Sequence, residues 1–313
     1  MGIAGRAAAL INSHLFALVV VAATAGLLLP GAAGLRSLVS PILFVMVFGM
    51  GLTLTLGELA SAFRRPARTV AVLLVQYSVL PLAAWLLSRL VGDPDLRMGF
   101  LIVGAAPSEV TSALMVFLAG GDAAFGTGAM SLSVLAAPLA MPALLGALGG
   151  QSVHLNVGSI FLNLAVVVAV PVIFGATLRT RFSRLGAYAG ECSAIASAMV
   201  LLLVMVAAAN ARSQLAAGVL AVAALLLLFN LVGYGVGWLA GRFITRGGDV
   251  RPYVFVIGMK EFGVAMAVAL TFFPAKTVLP ATLYGVIMLV TAPWLVHRLR
   301  RPAARPVVDP TAR

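Results

Sequence analysis

Charged residues are scarce in this sequence. Asp, Glu, Lys and Arg together make up 10% of its 313 residues, whereas hydrophobic residues make up 62%. A soluble chain of this length needs far more charge to cover its surface. Apolar stretches of about 18 residues or more recur along the chain, each long enough to cross the ~30 Å hydrocarbon layer as a helix. The composition therefore predicts an all-α polytopic membrane protein.

Cysteine and the common catalytic motifs are also missing or nearly so. The single cysteine, Cys192, excludes an internal disulfide and a cysteine-based metal cluster. The sequence has no HExxH, P-loop or GxSxG motif, so nothing favours an enzyme, and no cofactor is expected. Basic residues outnumber acidic ones by 21 to 9, but they are dispersed among short loops. This pattern argues against nucleic-acid binding and favours contact with the lipid bilayer.

The hydropathy pattern predicts ten transmembrane helices. Their approximate bounds are 13–30, 37–57, 69–91, 97–118, 124–147, 156–177, 188–210, 214–241, 252–272 and 277–298. With the N-terminus inside, fifteen basic residues outside the deep segments fall on the cytoplasmic side. The opposite side receives only five, namely Arg36, Arg89, Arg97, Arg212 and Lys276. Both termini are therefore predicted to be cytoplasmic, and the expected location is the bacterial inner (plasma) membrane.

Two stretches about 154 residues apart resemble each other. DLRMGFLIVGAAPSEV begins at Asp95, and DVRPYVFVIGMKEFGV begins at Asp249. Further matches in the same order are Trp85 with Trp238, Arg89 with Arg242 and Pro138 with Pro293. Because five helices separate corresponding points, the second copy enters the membrane from the opposite face, which predicts two inverted five-helix repeats. The predicted units are residues 1–150, residues 151–298 and a basic cytoplasmic tail, 299–313.

The fourth helix of each repeat has a weak centre. In the first copy, GAAPSEVTS contains Pro107, which removes a backbone donor and disfavours helix just before it. In the second copy, GMKEFG has Gly258 and Gly263 five residues apart. Broken helices at matching positions, here helices 4 and 9, indicate a transport site, because the freed backbone groups can coordinate ions or substrate.

Three charged residues are placed deep in the predicted helices: Glu109, Lys260 and Glu261. All three lie on the two broken segments. A buried lysine, unlike a buried arginine, can lose its proton. Two interpretations stay open. The charges form an ion pair that joins two helices, with Glu109 as the partner of Lys260, or they bind substrate or carry a proton.

Polar residues near the breaks carry a weaker signal. Gln76 and Asn230 occupy matching helices of the two repeats, where an amide can simply hydrogen-bond to a neighbouring helix. The hydroxyls of Thr111 and Ser112 can bond to their own backbone carbonyls. Each of these residues is therefore a candidate only because of its place beside a break.

Several motifs, taken in order, resemble the bile acid/sodium symporter family. They are MGLTLTLGELASAFRRPARTV at the end of helix 2, VQYSVLP in helix 3, P-x-x-x-x-S followed by FLAGGDAA in and after helix 4, and the GM of helix 9, Gly258 and Met259. The resemblance covers nearly the whole chain. It implies a panel domain of helices 1, 2, 6 and 7, a core domain of helices 3–5 and 8–10 in which helices 4 and 9 cross, and transport of organic anions by alternating access.

The chain departs from that family at its two sodium sites. Sodium-coupled members hold two ions around the crossing, and Gln76 and Ser112 match ligands there. The other matching positions carry Ala113, Gly126, Met130, Val256 and Lys260. The first site would thus have lost most of the oxygen ligands that a hard cation needs. The second would have an ammonium where the family has a neutral ligand.

The main hypothesis is a sodium-independent secondary transporter of a small organic anion, in which Lys260 replaces a sodium ion. Transport is proton-coupled if Lys260 or a glutamate titrates during the cycle. Contacts to substrate or ion are expected from Lys260, Glu261, Glu109, Ser112, Thr111, Gln76, Met259 and Asn230. One alternative keeps sodium coupling, with Glu109 and Glu261 as relocated ligands beside Gln76 and Ser112. Another is a membrane sensor that binds a ligand without moving it. The substrate, the direction of transport and the oligomeric state stay open.

Overall fold

The computed structural model describes residues 15–149, 156–212 and 219–300. Within these ranges the protein is helical and has no β-strand. Its helices are α1 Leu15–Leu28, α2 Val39–Gly51, α3 Leu56–Ser61, α4 Pro66–Ser88, α5 Pro94–Ala105, α6 Ser112–Leu118, α7 Ala123–Leu148, α8 Val157–Arg181, α9 Ala189–Ala211, α10 Val219–Thr245, α11 Arg251–Gly258, α12 Phe262–Phe272 and α13 Leu279–Leu299. Short 3₁₀ segments lead into α2, α9 and α13 and follow α3.

Seven helices of the described residues are long and apolar enough to cross a membrane. They are α4, α7, α8 and α10, together with α2, α9 and α13 when their preceding 3₁₀ turns are included. Three predicted helices are not among them. Helix 1 corresponds to α1, which is 14 residues long in the described part of the chain, and helices 4 and 9 are each divided in two. Residues 213–218, where helix 8 was expected to begin, and residues 301–313, most of the predicted basic tail, lie outside the described ranges.

Local sequence signals set several helix ends. The Asp93 side chain accepts hydrogen bonds from the backbone N–H groups of Asp95 and Leu96, and Pro94 occupies the first turn, where its missing N–H costs nothing. Thr55 and Glu58 form a reciprocal capping box at the start of α3. These caps satisfy backbone donors that have no partner inside the helix at its first turn.

Helix α4 contains a π-helical turn, Val75–Val79. The Leu80 N–H donates to the carbonyl of Val75, one residue further back than in an α-helix, and the next residue, Pro81, has no N–H to donate. The carbonyl of Gln76 is therefore left without the helical donors that would normally follow it. An equivalent π turn, Ala165–Ala169, precedes Pro171 in α8.

The structure has breaks at both predicted positions, and the two breaks cross. Ala106 and Met259 end the preceding helices with extended backbone, at ψ 152° and ψ 125°. Ser108 and Lys260 pair as an antiparallel bridge. On either side of them, the Glu109 N–H donates to the Met259 carbonyl at 3.0 Å, and the Glu261 N–H donates to the Pro107 carbonyl at 2.9 Å. Each break thus satisfies backbone groups of the other.

Protein rather than lipid surrounds this crossing. Every residue from 251 to 270 is buried, and so is every residue from 98 to 109. Helix α10 packs closely against the second break: a Cβ on Gly258 would come within 2.4 Å of the Tyr234 ring and 2.9 Å of the Tyr234 nitrogen. Irregular backbone at membrane depth is tolerated where protein buries it in this way.

Loop contacts join the two halves of the chain at both ends of the bundle. The Arg65 guanidinium contacts the Asp122 carboxylate at 2.8 Å, and the Asp122 N–H donates to Asp249 at 2.9 Å. At the other end, Lys276 forms an ion pair with Asp93. The hydrogen bond from Lys276 lowers the pKa of Asp93 below its usual value. Both contacts link loops that are more than 50 residues apart in sequence.

Candidate functional site

The crossing presents two chemically different faces. Successive side chains of an extended segment point to opposite sides, so the pairing of Ser108 with Lys260 places these two side chains together and directs Glu109 and Glu261 the other way. The first face meets α4 and α7, and the second meets a cavity beside α2 and α9. Lys260 and Glu261 are adjacent in sequence, but their side chains therefore lie on opposite faces of the crossing.

Lys260 is fully buried on the first face, at 0% exposure. Its Nζ donates to the Ala106 carbonyl at 3.0 Å and to the Gln76 carbonyl at 3.3 Å, and it lies 5.8 Å from the centre of the Tyr77 ring. Ala106 is the last residue before the first break, and the Val110 N–H, four residues later, donates to Glu261 instead. The ammonium thus binds two carbonyls that the π turn of α4 and the break after α5 leave without helical donors.

Lys260 has no carboxylate partner among the described residues, whose ion pairs are Arg65–Asp122, Asp249–Arg251 and Asp93–Lys276. The interpretation in which Lys260 pairs with Glu109, one of the two left open by the sequence, is therefore wrong. Its physical reason is the extended backbone at the crossing, which turns the Glu109 side chain away from the lysine. Glu109 instead neighbours Glu261, and the two carboxyl groups interact with each other.

A network of neutral side chains surrounds the lysine. Ser108 Oγ lies 2.8 Å from Gln76 Oε1 and 2.6 Å from the Val256 carbonyl, and its single proton can be donated to either acceptor. The Gln76 amide donates to Ser133 Oγ at 2.7 Å, and the same oxygen accepts from the Ser108 N–H at 2.9 Å. Gln76 thus contributes its backbone carbonyl to Lys260 and its side chain to the first break. Sequence reasoning did not single out Ser108, although its place directly after Pro107 marks it.

Asn230 contacts the second break as Gln76 contacts the first. Its Nδ2 lies 3.2 Å from the Tyr284 hydroxyl and 3.5 Å from the Gly258 carbonyl, and its Oδ1 accepts from Thr291 at 2.6 Å. The Tyr284 hydroxyl accepts the Lys260 N–H at 3.2 Å and lies 3.1 Å from the Gly258 carbonyl. Tyr284 and Thr291 were not predicted as site residues, because neither stands out in the apolar run of α13.

The second face carries the two glutamates. Glu109 is 6% exposed and Glu261 3% exposed. Glu261 caps α12 by accepting the Gly263 N–H at 3.3 Å, and it accepts the Val110 N–H at 3.4 Å. Glu109 Oε1 accepts a long bond from the Thr111 hydroxyl at 3.5 Å, whereas Oε2 is buried without a hydrogen-bond partner. Such an unpaired carboxylate oxygen is unusual in a protein interior.

Both glutamates line a cavity of about 100 Å³. Its other walls come from α2, α9 and α13 and include Met46, Met50, Val200 and Leu289. Of the residues that line it, only the two glutamates ionise, and none is basic. Lys260 does not line it, so the cation and the cavity lie on opposite sides of the crossing.

The candidate sodium ligands do not converge. Gln76 lies on the lysine face, whereas Glu109 and Glu261 lie on the cavity face. The Ser112 hydroxyl is buried without a hydrogen-bond partner, and its N–H donates to the Glu109 carbonyl at 3.0 Å. Within the described residues no group of three or more His, Cys, Asp or Glu side chains could hold a metal ion. A cation at the glutamates would therefore rely on two carboxylates and nearby hydroxyls.

Broken helices that cross inside a helical bundle, with ionisable groups at the crossing, characterise secondary transporters. Comparison with known proteins agrees with this class. The chain belongs to the sodium bile acid symporter family, whose family model matches residues 40–218. The family resemblance deduced from the motifs is thus confirmed, and the family together with the long apolar helices makes this an integral membrane protein.

Relatives are found in bacteria, plants and animals. An uncharacterized sodium-dependent transporter of Bacillus subtilis, YocS, is 26% identical over 80% of this chain and 79% of its own length. The probable sodium/metabolite cotransporter BASS1 of Arabidopsis thaliana chloroplasts is 29% identical over 85% of this chain and 68% of its own. The human sodium/bile acid cotransporter 4 is 25% identical over 78% and 58%. Their names describe transporters, which supports a role other than catalysis.

Proposed function

We propose that this protein is a secondary transporter of a small organic anion that works without sodium, with the Lys260 ammonium fixed in place of a sodium ion. The observation that carries this proposal is the contact of Lys260 Nζ with the Ala106 and Gln76 carbonyls inside the crossing. Backbone carbonyls freed by broken helices are the groups that coordinate sodium in transporters. An ammonium that occupies them supplies one positive charge and needs no ion from solution.

The surroundings of Lys260 support a permanent role rather than a mobile one. Its side chain is fully buried, its contacts come from two separate helices, and the Ser108–Gln76–Ser133 network closes the same face. A sodium ion that is coupled to transport must arrive and leave in each cycle. A covalently attached cation cannot leave, so the crossing stays assembled throughout the cycle.

We further propose ten transmembrane helices in two inverted repeats, residues 1–150 and 151–298, with both termini and the 299–313 tail on the cytoplasmic side of a bacterial inner membrane. Two ion pairs support this arrangement, because each joins residues that the charge pattern assigns to one side. Arg65 and Asp122 are both assigned to the cytoplasm, and Asp93 and Lys276 to the opposite side. The matching contacts of Gln76 and Asn230 with the two breaks also fit a repeat.

The panel domain would then comprise α1, α2, α8 and α9, and the core domain α4–α7 and α10–α13. The cavity lies between α2 and α9 on one side and the crossing on the other, which is where alternating access would expose a substrate. Its volume of about 100 Å³ is well below the roughly 300–1,000 Å³ of typical ligand pockets. Binding of the anion would therefore require the panel to move away from the core.

A second candidate function keeps sodium coupling. The observation that favours it is the pair of adjacent buried carboxyl groups with one unpaired oxygen, Glu109 Oε2. A sodium ion could bind there in place of the lost family sites. The names of two relatives, which describe sodium-dependent or sodium-coupled transport, support this sodium-coupled function.

Purified protein in liposomes tests the main proposal. A thermal-shift screen of bile-acid conjugates and short keto and hydroxy acids, each with sodium chloride or choline chloride, identifies the anion to be assayed. Uptake of that anion is then measured with sodium or choline at one fixed pH. Equal initial rates are expected. A rate that collapses in choline would overturn the proposal in favour of the sodium-coupled candidate, and binding without uptake would indicate a sensor.

A further inference from the structure

The two buried carboxyl groups at the cavity face no cation from the part of the chain that the structure describes. Helix α2 has no ionisable side chain, and α9 carries Glu191 and Cys192 at its start, neither of which lines the cavity. Helix α13 contributes the neutral Tyr284 hydroxyl, which is bound at the second break, and Tyr77 of α4 lies on the lysine face. Lys260 itself points away from the cavity. His297 and Arg298 lie in the last turn of α13 and do not line the cavity, so no cation on these elements balances the charge of the pair there.

Two carboxylates held side by side in a site of low dielectric constant cannot both stay ionised at low cost. Adjacent carboxyl groups in such sites share one proton, as in the aspartic proteases. Glu109 and Glu261 interact directly. The backbone N–H groups of Val110 and Gly263 hydrogen-bond to Glu261, which favours its ionised form, so the proton belongs chiefly to Glu109.

The unpaired Oε2 of Glu109 also indicates that this carboxyl group carries the proton. It is buried, belongs to a residue that is 6% exposed, and lies at the wall of the cavity. An ionised oxygen in this position would lack any donor, whereas a protonated one can donate to Glu261 or to a ligand in the cavity. Since no basic residue lines the cavity, the ionisable groups that an entering anion meets are both acidic, beside neutral hydroxyls such as that of Thr53. Uptake of one proton lowers the negative charge of the pair from two to one, so the anion binds more favourably to the protonated pair.

We propose that Glu109 and Glu261 form a carboxyl pair that binds one shared proton at the cavity wall, and that this proton crosses the membrane together with the anion. Water in the open cavity delivers the proton to a carboxylate oxygen and receives it again on the other side, and no other bond changes. Because the anion favours the protonated pair, the proton favours anion binding by the same factor. The cotransport step depends on the proposed function, whereas proton binding does not.

Dicyclohexylcarbodiimide tests proton binding without any substrate, since it adds a protonated carboxylic acid across its C=N bond in apolar surroundings. The protein in lipid nanodiscs is treated with this reagent over a pH series, with sodium chloride or choline chloride, and the modified peptide is identified by mass spectrometry. We expect one adduct per chain, on Glu109 or Glu261, that declines as the pH rises and is the same in both salts. Glu109→Gln with Glu261→Gln should remove it, whereas Glu191→Gln should retain it.

Protection by sodium would show that the pair binds that ion and would overturn the proposal, as would a lack of adduct at acidic pH or an adduct elsewhere. Peptide mapping of the unaltered protein locates the adduct and measures its protection by sodium, so the test does not depend on whether the double variant folds. The coupling step is tested in liposomes, where an inward proton gradient should drive accumulation of the anion identified above. If labelling follows the expected pattern but no anion is transported, the proposed function fails and the proton site stands. If the anion is transported but a proton gradient has no effect, cotransport is refuted.

Discussion

Ser108 and Lys260 face each other as an antiparallel pair where the two broken helices cross, with backbone hydrogen bonds of 3.0 and 2.9 Å on either side. This pairing separates the charges of the site. It directs the Lys260 ammonium to the free carbonyls of Gln76 and Ala106 and the two glutamates to the cavity. The lysine and the two glutamates therefore occupy different faces of one crossing.

Replacement of Lys260 by methionine keeps an unbranched side chain, one atom shorter, and removes the charge and the donors. The Gln76 and Ala106 carbonyls would then be buried without a partner, and each unpaired group costs about 1–3 kcal/mol. We expect Lys260→Met to lower the initial rate of anion uptake roughly tenfold or more while the protein still elutes as a folded species. The residual uptake should keep its pH dependence, because the glutamate pair is unchanged.

Lys276→Met is the matched control, since Lys276 is the other lysine of the chain and lies in a partly exposed ion pair with Asp93. Pairs of this kind contribute about 0–1 kcal/mol, so its uptake rate should stay within about twofold of the unaltered protein. An equal loss in both variants would show that the effect of Lys260→Met is not specific to the crossing. Loss of pH dependence in Lys260→Met would identify Lys260 as the proton carrier instead of the glutamates.

The positions of the breaks could be predicted from the sequence, because Pro107 and the glycines around residue 260 act locally on the backbone. The long apolar runs likewise predicted the helices. The directions of the side chains at the break could not be predicted in the same way. In a helix, residues 260 and 261 would lie about 100° apart, and only the extended pairing of two distant segments turns them to opposite faces. The free carbonyl of Gln76 could not be predicted from the sequence either, because it depends on the π turn before Pro81.

Gly258 allows α10 to approach the second break, and this contact can be tested by adding one methyl group. In Gly258→Ala the new Cβ would come within 2.9 Å of the Tyr234 backbone nitrogen, so helix α10 or the break must move. Overpacking of this kind costs about 1–3 kcal/mol. We expect a lower thermal unfolding midpoint in detergent and slower uptake.

Gly235→Ala, at the residue directly after Tyr234 on α10, provides the comparison. A Cβ there meets nothing within 4 Å, and alanine is favoured over glycine inside a helix by about 1 kcal/mol. Its unfolding midpoint should stay the same or rise. A similar decrease in both variants would mean that α10 tolerates no added methyl group and that the Gly258 contact is not special.

The ion pair between Asp93 and Lys276 predicts a pH-dependent contribution to stability. Because the hydrogen bond from Lys276 lowers the folded-state pKa of Asp93, the pair stabilises the protein fully above the unfolded-state pKa of about 3.9. This stabilisation is lost as the pH falls through the folded-state value. Asp93→Asn should therefore unfold at a lower temperature at neutral pH, by an amount equivalent to about 0.2–1 kcal/mol. The two proteins should converge in acid.

Comparison of Asp93→Ala with Asp93→Asn distinguishes the ion pair with Lys276 from the N-cap that Asp93 forms on α5. Asparagine can still accept the N–H groups of Asp95 and Leu96, whereas alanine cannot, and the loss of an N-cap costs about 1 kcal/mol. The alanine variant should therefore be less stable than the asparagine variant at every pH. If the asparagine variant remains below the unaltered protein at acidic pH by the same margin as at neutral pH, the ion pair is not the cause.

The proposed topology predicts opposite accessibility for two exposed glycines. Gly190 lies at the start of α9, which the charge pattern assigns to the cytoplasm, and Gly92 precedes α5 on the opposite side. Both positions are open, since a Cβ meets nothing within 4 Å at either one, and removal of the single native thiol by Cys192→Ser gives a clean background. In intact bacterial cells with a permeable outer layer, a membrane-impermeant maleimide should label Gly92→Cys at once and label Gly190→Cys only after lysis. Labelling of both from outside, or the reverse order, would contradict a ten-helix arrangement with cytoplasmic termini, because an odd number of membrane crossings must separate the two residues.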